Sequence, residues 1–116
     1  MKHYTEIVPF ELAVKLKDAE YPQIFGNGAY SEYGSYFSLI SKENLVIPFI
    51  SAPTYAEVFD WLMGKDLFVY VRGCIVDVWD DRNQREYSSE GTALVTWEQL
   101  AQIGIVQALE ILEDRK

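Results

Sequence analysis

Two four-residue motifs constrain this chain more than any other feature. Thr54-Tyr55-Ala56-Glu57 and Thr96-Trp97-Glu98-Gln99 each put a hydroxyl just before an apolar periodic run and an acceptor side chain three residues later. The first N–H groups of a helix lack intrahelical partners, and this pattern satisfies two of them reciprocally. A helix is therefore expected to start at each motif. After the first, Tyr55, Val58, Phe59 and Leu62 fall at i, i+3, i+4 and i+7, one amphipathic stripe, and Gly64 is read as its stop. After the second, the predicted core face is Trp97, Leu100, Ala101, Gly104, Ala108, Ile111 and Leu112, and Val95 with Leu100 forms a hydrophobic staple. This last helix runs to about residue 113, with Arg115 and Lys116 near its negative end. Its small centre, Ala101, Gly104 and Ala108, predicts a close approach to whatever it packs on, which offsets the roughly 1 kcal/mol that a mid-helix Gly costs against Ala.

The chain between these motifs has a different period. An opening helix is expected over residues 9–19, with Pro9 at its first position and Glu11 and Lys15 as an i,i+4 pair. Residues 24–30 and 35–40 read as a hairpin joined by Ser31-Glu32-Tyr33-Gly34, whose closing Gly suits a left-handed turn residue. Residues 45–50 are extended, but Pro48 confines them to a sheet edge or to irregular chain. Residues 67–71 and 75–79 are β-branched and aromatic. They are read as one long strand with a bulge at Arg72-Gly73. Asp80-Asp81-Arg82-Asn83 is the turn, residues 84–88 the returning strand, and Ser89-Glu90-Gly91 a loop. The sum is a single α+β domain over residues 1–116, a small mixed or antiparallel sheet with three helices, in the order α-β-β-α-β-β-α.

Composition enters as exclusion. The chain has 116 residues, 49% of them hydrophobic, enough for one core without staples. Eighteen acidic against 10 basic residues leave a net charge of −8, which disfavours nucleic acid and anionic membranes as partners. One His, His3, and one Cys, Cys74, make a zinc site or a disulfide framework improbable. No signal peptide or transmembrane run is evident, so a cytoplasmic location is expected. No cofactor, metal ligand or catalytic residue is assigned. Gly26-Asn27-Gly28 lacks the helix and Lys of a phosphate loop. Cys74, beside Ile75 and Val76, is expected to be a buried or half-buried thiol.

Four groups of residues invite a functional reading. Asp77, Asp80, Asp81 and Glu86 cluster near a turn. A solvated turn is the preferred reading, and a small-ligand or catalytic site using Asp77, Asp80 and Glu86 is the alternative. Residues 21–37 carry Tyr21, Phe25, Tyr30, Tyr33, Tyr36 and Phe37 among Gly, Ser and Asn. Tyrosine among small polar residues is typical of binding surfaces, and it equally suits a sheet face packed on helices. Tyr33, at the hairpin tip, is expected to be exposed and to contact a partner. Trp61 lies off the stripe of its helix. Ile103 and Val106 lie on the back of the last helix, beside Gln99, Gln102, Glu110 and Glu113. Grouped exposed apolar residues suggest an interface, here a homodimer through the last helix.

Three stretches carry a resemblance: Thr5-Glu6-Ile7-Val8 leading into Phe10-Glu11-Leu12-Ala13, the run from Ser51 through Leu62, and Thr96-Trp97-Glu98 opening a helix rich in Ala, Leu and Ile. Together they resemble a family of small uncharacterised proteins from gut Bacteroidetes genomes and their phages or other mobile elements. The chain departs from that pattern at Pro9, where the family usually has Ser, and at Gln99-Leu100, where it usually has Glu-Ala. The resemblance implies a mobile-element origin and no catalytic or binding residue. The expected function is a non-enzymatic protein-interaction protein with an unidentified protein partner. An acidic inhibitor that mimics DNA is a further alternative, and it requires carboxylates lined on one surface.

Overall fold

A computed structural model describes residues 2–23, 28–37, 49–91 and 95–116. Among these, a 3₁₀ turn over Lys2–Thr5 leads into helix α1, Phe10–Asp18. Strands β1, Ala29–Ser31, β2, Tyr36–Phe37, and β3, Phe49–Ser51, follow. Helix α2 spans Tyr55–Met63, strands β4, β5 and β6 span Leu67–Arg72, Ile75–Asp80 and Arg85–Glu90, and helix α3 spans Trp97–Asp114. The α+β class stands, with the strands divided between two antiparallel sheets, ordered β2-β1-β3 and β4-β5-β6. Parts of the expected hairpin and of the extended segment, residues 24–27 and 38–48, lie outside the described residues.

Both capping boxes form. The Thr54 and Thr96 hydroxyls accept from Glu57 N–H and Gln99 N–H, and the Glu57 and Gln99 side chains accept from Thr54 N–H and Thr96 N–H at 2.9 Å. Two helix ends differ from expectation. Pro9 is the N-cap of α1, extended at φ −69° and ψ 161°, one residue before the first helical position. Gly64 is right-handed at φ −64°, and the left-handed residue that ends this turn is Asp66, φ 61°. The end of α1 is a Schellman turn. Glu20 N–H donates to Lys17 O, Tyr21 N–H donates to Leu16 O, and Glu20 takes the left-handed position at φ 69°.

A turn, not a bulge, separates β4 from β5. Arg72 pairs with Ile75 in register, which leaves Gly73 and Cys74 as a two-residue loop. Gly73 sits at φ +57°, the positive φ that a type II′ turn needs at its first central position. Cys74 is consequently exposed at the turn, contrary to the buried thiol expected from its apolar neighbours. Ser89 and Glu90, expected in a loop, continue β6 by pairing with Val76 and Ile75.

The pleat of the second sheet decides which side chains meet α3. Leu67, Val76 and Val78 are buried on its inner face, and Leu67 and Val78 share one core with Leu16, Tyr55, Leu62, Ala101, Ile105 and Ala108. Ile105 is a core residue that the predicted stripe omits; Trp97 and Leu112, which it includes, are partly buried. The small centre of α3 does bring the helix close. A Cβ on Gly104 would lie 2.6 Å from Val76 Cγ2 and 2.7 Å from Val69 Cγ1. The N-terminal segment is tied to the start of α2: Val8 N–H donates to Pro53 O at 3.0 Å and Tyr55 N–H to Glu6 O at 3.1 Å.

Candidate functional site

The tip of the first hairpin is built by its own backbone. Gly34 N–H donates to Ser31 O at 3.0 Å, and Ser31 Oγ accepts from the N–H groups of Tyr33 and Ser35. Gly34 then takes φ +89°, the left-handed residue closing a three-residue loop. Tyr33 is left 88% exposed on this loop. Its neighbours divide between the two readings of the tyrosine-rich stretch. Tyr30 faces inward, its hydroxyl donating to Val8 O at 2.6 Å and its ring edge-on to Phe10 and Tyr36. Tyr36 and Phe37, on β2, are exposed, with Phe37 packed edge-on against Phe49 at 5.7 Å. Tyr21 belongs to the packing. It meets Trp61 at 5.1 Å, and burial, aided by the charge of Glu57, pushes its phenol up to about 12. Phe25 lies outside the described residues. Trp61 is thus half-buried between Tyr21 and the Lys65 ammonium, 5.8 Å from its ring.

The back of α3 presents a groove of about 770 Å³ lined by Gln99, Gln102, Ile103, Val106, Gln107 and Glu110, together with Val95. Ile103 is 41% exposed, while Val106 is half-buried against the core. Gln102 Nε2 donates to Tyr55 Oη at 3.2 Å. Among the described residues, Glu110 is the one ionisable group on this lining.

The carboxylates read as a solvated turn are two buried and two exposed groups. Asp80 is 0% exposed. Its Oδ1 accepts from Arg115 Nη2 at 2.6 Å and from the N–H groups of Arg82 and Asn83, and its Oδ2 accepts from Asn83 Nδ2 at 2.8 Å. Burial alone raises the pKa of this carboxyl. The hydrogen bonds from Asn83 and Arg115, with the guanidinium charge, outweigh that and hold it below the usual carboxylate range. Arg115 Nη1 also donates to Lys65 O at 2.6 Å. Asp80 therefore clamps the end of α3 to the end of β5 and to the chain after α2, a structural duty.

Asp77 is buried on the outer face of β5, held by Arg72 Nη2 at 2.6 Å and Ser88 Oγ at 2.6 Å. Asp81 and Glu86 are exposed. Asp77 and Glu86 do share a depression of about 420 Å³ with Tyr70, Arg72 and Trp79, so the surface there is not flat. Among the described residues, no group of three His, Cys, Asp or Glu side chains is gathered to hold a metal ion. No described helix is long and apolar enough to cross a membrane.

The outer face of the second sheet is the surface that sequence reasoning missed. Phe68 pairs with Trp79, and Tyr70, 54% exposed, pairs with Asp77. Period-two reading of residues 68, 70 and 72 carries the signal, but treating β4 and β5 as one bulged strand hides their pairing. No protein family, curated protein or solved structure matches the chain.

Proposed function

We propose that this chain is a non-enzymatic protein-interaction protein, of mobile-element origin as the resemblance implies, acting in the cytoplasm of its host cell. The observation that supports this reading is Tyr33, 88% exposed on a turn whose geometry is held by Ser31 and Gly34. A large aromatic on a preformed loop offers contact area at little entropic cost. The DNA-mimic alternative loses Asp77 and Asp80, buried against Arg72 and Arg115, and Glu57, which caps α2.

The test uses the full chain as bait in a lysate of its source cell, alongside Tyr33→Ala and Tyr70→Ala. The proposal expects a partner retained by the wild type and by Tyr70→Ala and lost with Tyr33→Ala, all three having the same thermal unfolding curve. Equal retention by Tyr33→Ala, or no retained partner, refutes it.

A second reading, small-ligand binding, draws on the depression beside Arg72, Trp79 and Glu86. Both Asp77 oxygens are already engaged there, so Glu86 is the carboxylate available to a ligand. A compound that raises the unfolding temperature of the wild type but not of Arg72→Ala favours this site.

A further inference from the structure

We propose that the back of α3 is a two-fold interface, where a second copy of this chain packs antiparallel across the groove. The order of side chains along the groove carries the argument. Counting outward from the midpoint between Gly104 and Ile105, Ile103 mirrors Val106, Gln102 mirrors Gln107 and Gln99 mirrors Glu110, while Val95, at the end of the groove, mirrors Asp114 outside the contact. An isologous contact places each residue against its mirror on the other copy. Aliphatic then meets aliphatic, amide meets amide, and Glu110 meets an amide.

The hydrogen-bonding chemistry matches atom by atom. Gln99 Oε1 already accepts from Thr96 N–H, so its Nε2 hydrogens are what it offers to Glu110 of the second copy. Gln102 Nε2 already donates to Tyr55 Oη, so its Oε1 is what it offers to Gln107 Nε2 of the second copy. A parallel pairing places Glu110 against Glu110 instead, two like charges in contact. Two copies at −8 each repel, and among the described residues this lining holds one acid, Glu110, whose mirror Gln99 is neutral. From Gln99 to Glu110 the helix spans roughly 16 Å at 1.5 Å per residue and about 10 Å in width. The footprint is about 160 Å² per copy, well below the ~800 Å² of a standard interface. The dimer is therefore weak and concentration-dependent. This proposal stands apart from the Tyr33 reading, and neither result bears on the other.

Sedimentation equilibrium from tens to hundreds of micromolar tests it. The wild-type mass is expected to rise from 13.4 kDa toward twice that value. Ile103→Glu, at a side chain already 41% exposed, is expected to stay monomeric with an unchanged circular dichroism melt. A wild type that remains monomeric throughout, or an Ile103→Glu variant that dimerises equally, overturns the proposal. Register is tested in a Cys74→Ser background by mixing Gln102→Cys with Gln107→Cys chains under mild oxidation. Faster cross-linking between unlike chains than between like chains is expected. Equal rates overturn the antiparallel arrangement.

Discussion

Replacing Asp80 by Asn removes one charge from the clamp between β5 and α3 and keeps its shape. In the wild type the carboxylate is fully buried and the Arg115 side chain is 14% exposed, with their closest atoms 2.6 Å apart. Taking one partner from a buried ion pair costs about 3–5 kcal/mol, because the other charge is left desolvated. Arg115 is next to last in the chain and can swing toward water, at the expense of its bond to Lys65 O. The lower end, about 3 kcal/mol, is therefore expected for Asp80→Asn. Asp80→Ala costs more, since Arg82 N–H, Asn83 N–H and Asn83 Nδ2 also lose an acceptor. For a domain this size, 1 kcal/mol shifts the midpoint by about 4 °C, so Asp80→Asn should lower Tm by about 12 °C. Urea unfolding followed by tryptophan fluorescence at pH 7 gives the free energy. The pH dependence supplies an independent check. A carboxyl whose folded pKa lies below its unfolded value of about 3.9 contributes stability that is complete well above that value. The contribution fades as pH falls through the folded pKa, so the gap between wild type and Asp80→Asn should narrow on acidification from pH 7. The exposed neighbour Asp81 is the control, and Asp81→Ala should cost under about 1 kcal/mol. A loss for Asp80→Asn as small as that of Asp81→Ala, or a gap that does not change with pH, refutes the reasoning.

Gly104→Ala sets helix propensity, a gain of about 1 kcal/mol, against a Cβ forced to within 2.7 Å of two valine methyl groups. Overpacking of that kind costs about 1–3 kcal/mol. Urea melts should show a net loss, and a gain in stability contradicts the close packing of α3 on the sheet. Tyr21 keeps its proton up to about pH 12, so the stability it lends is complete below the unfolded phenol value of about 10 and is lost as pH rises through 12. Absorbance titration at alkaline pH should show a late-ionising phenol that Tyr21→Phe removes, beside the phenols of Tyr30 and Tyr55, which burial also raises. Cys74, exposed at its turn, should react fully with a thiol reagent in the native state. A protected thiol that reacts only in denaturant contradicts the two-residue loop.

Legibility in the sequence followed the range of the forces involved. Both capping boxes, the stripe of α2 and the tip of the first hairpin depend on atoms within a few residues of each other. Thr54 reaches only Glu57, and Ser31 only Tyr33 and Ser35. Those features were readable, as was the exposure of Tyr33, because a turn closed by a left-handed Gly points its middle residue at solvent. The duties of charged and apolar groups were not readable. Asp80 is a turn carboxylate by its neighbours, and it is a buried clamp because Arg115 arrives from 35 positions away. Ile105 and Trp61 join the core or leave it according to which surfaces α3 and Tyr21 present to them. Cys74 lost its burial to a choice between bulge and turn, which the register of Arg72 with Ile75 decided. By itself, then, the sequence determined where α2 and α3 begin and where one aromatic stands in water, since hydrogen bonds to the nearby backbone are local. Only the tertiary structure decided which carboxylates are buried, how the strands divide into two sheets, and which face of α3 stays open. Burial is a property of what the rest of the chain places on top of a residue.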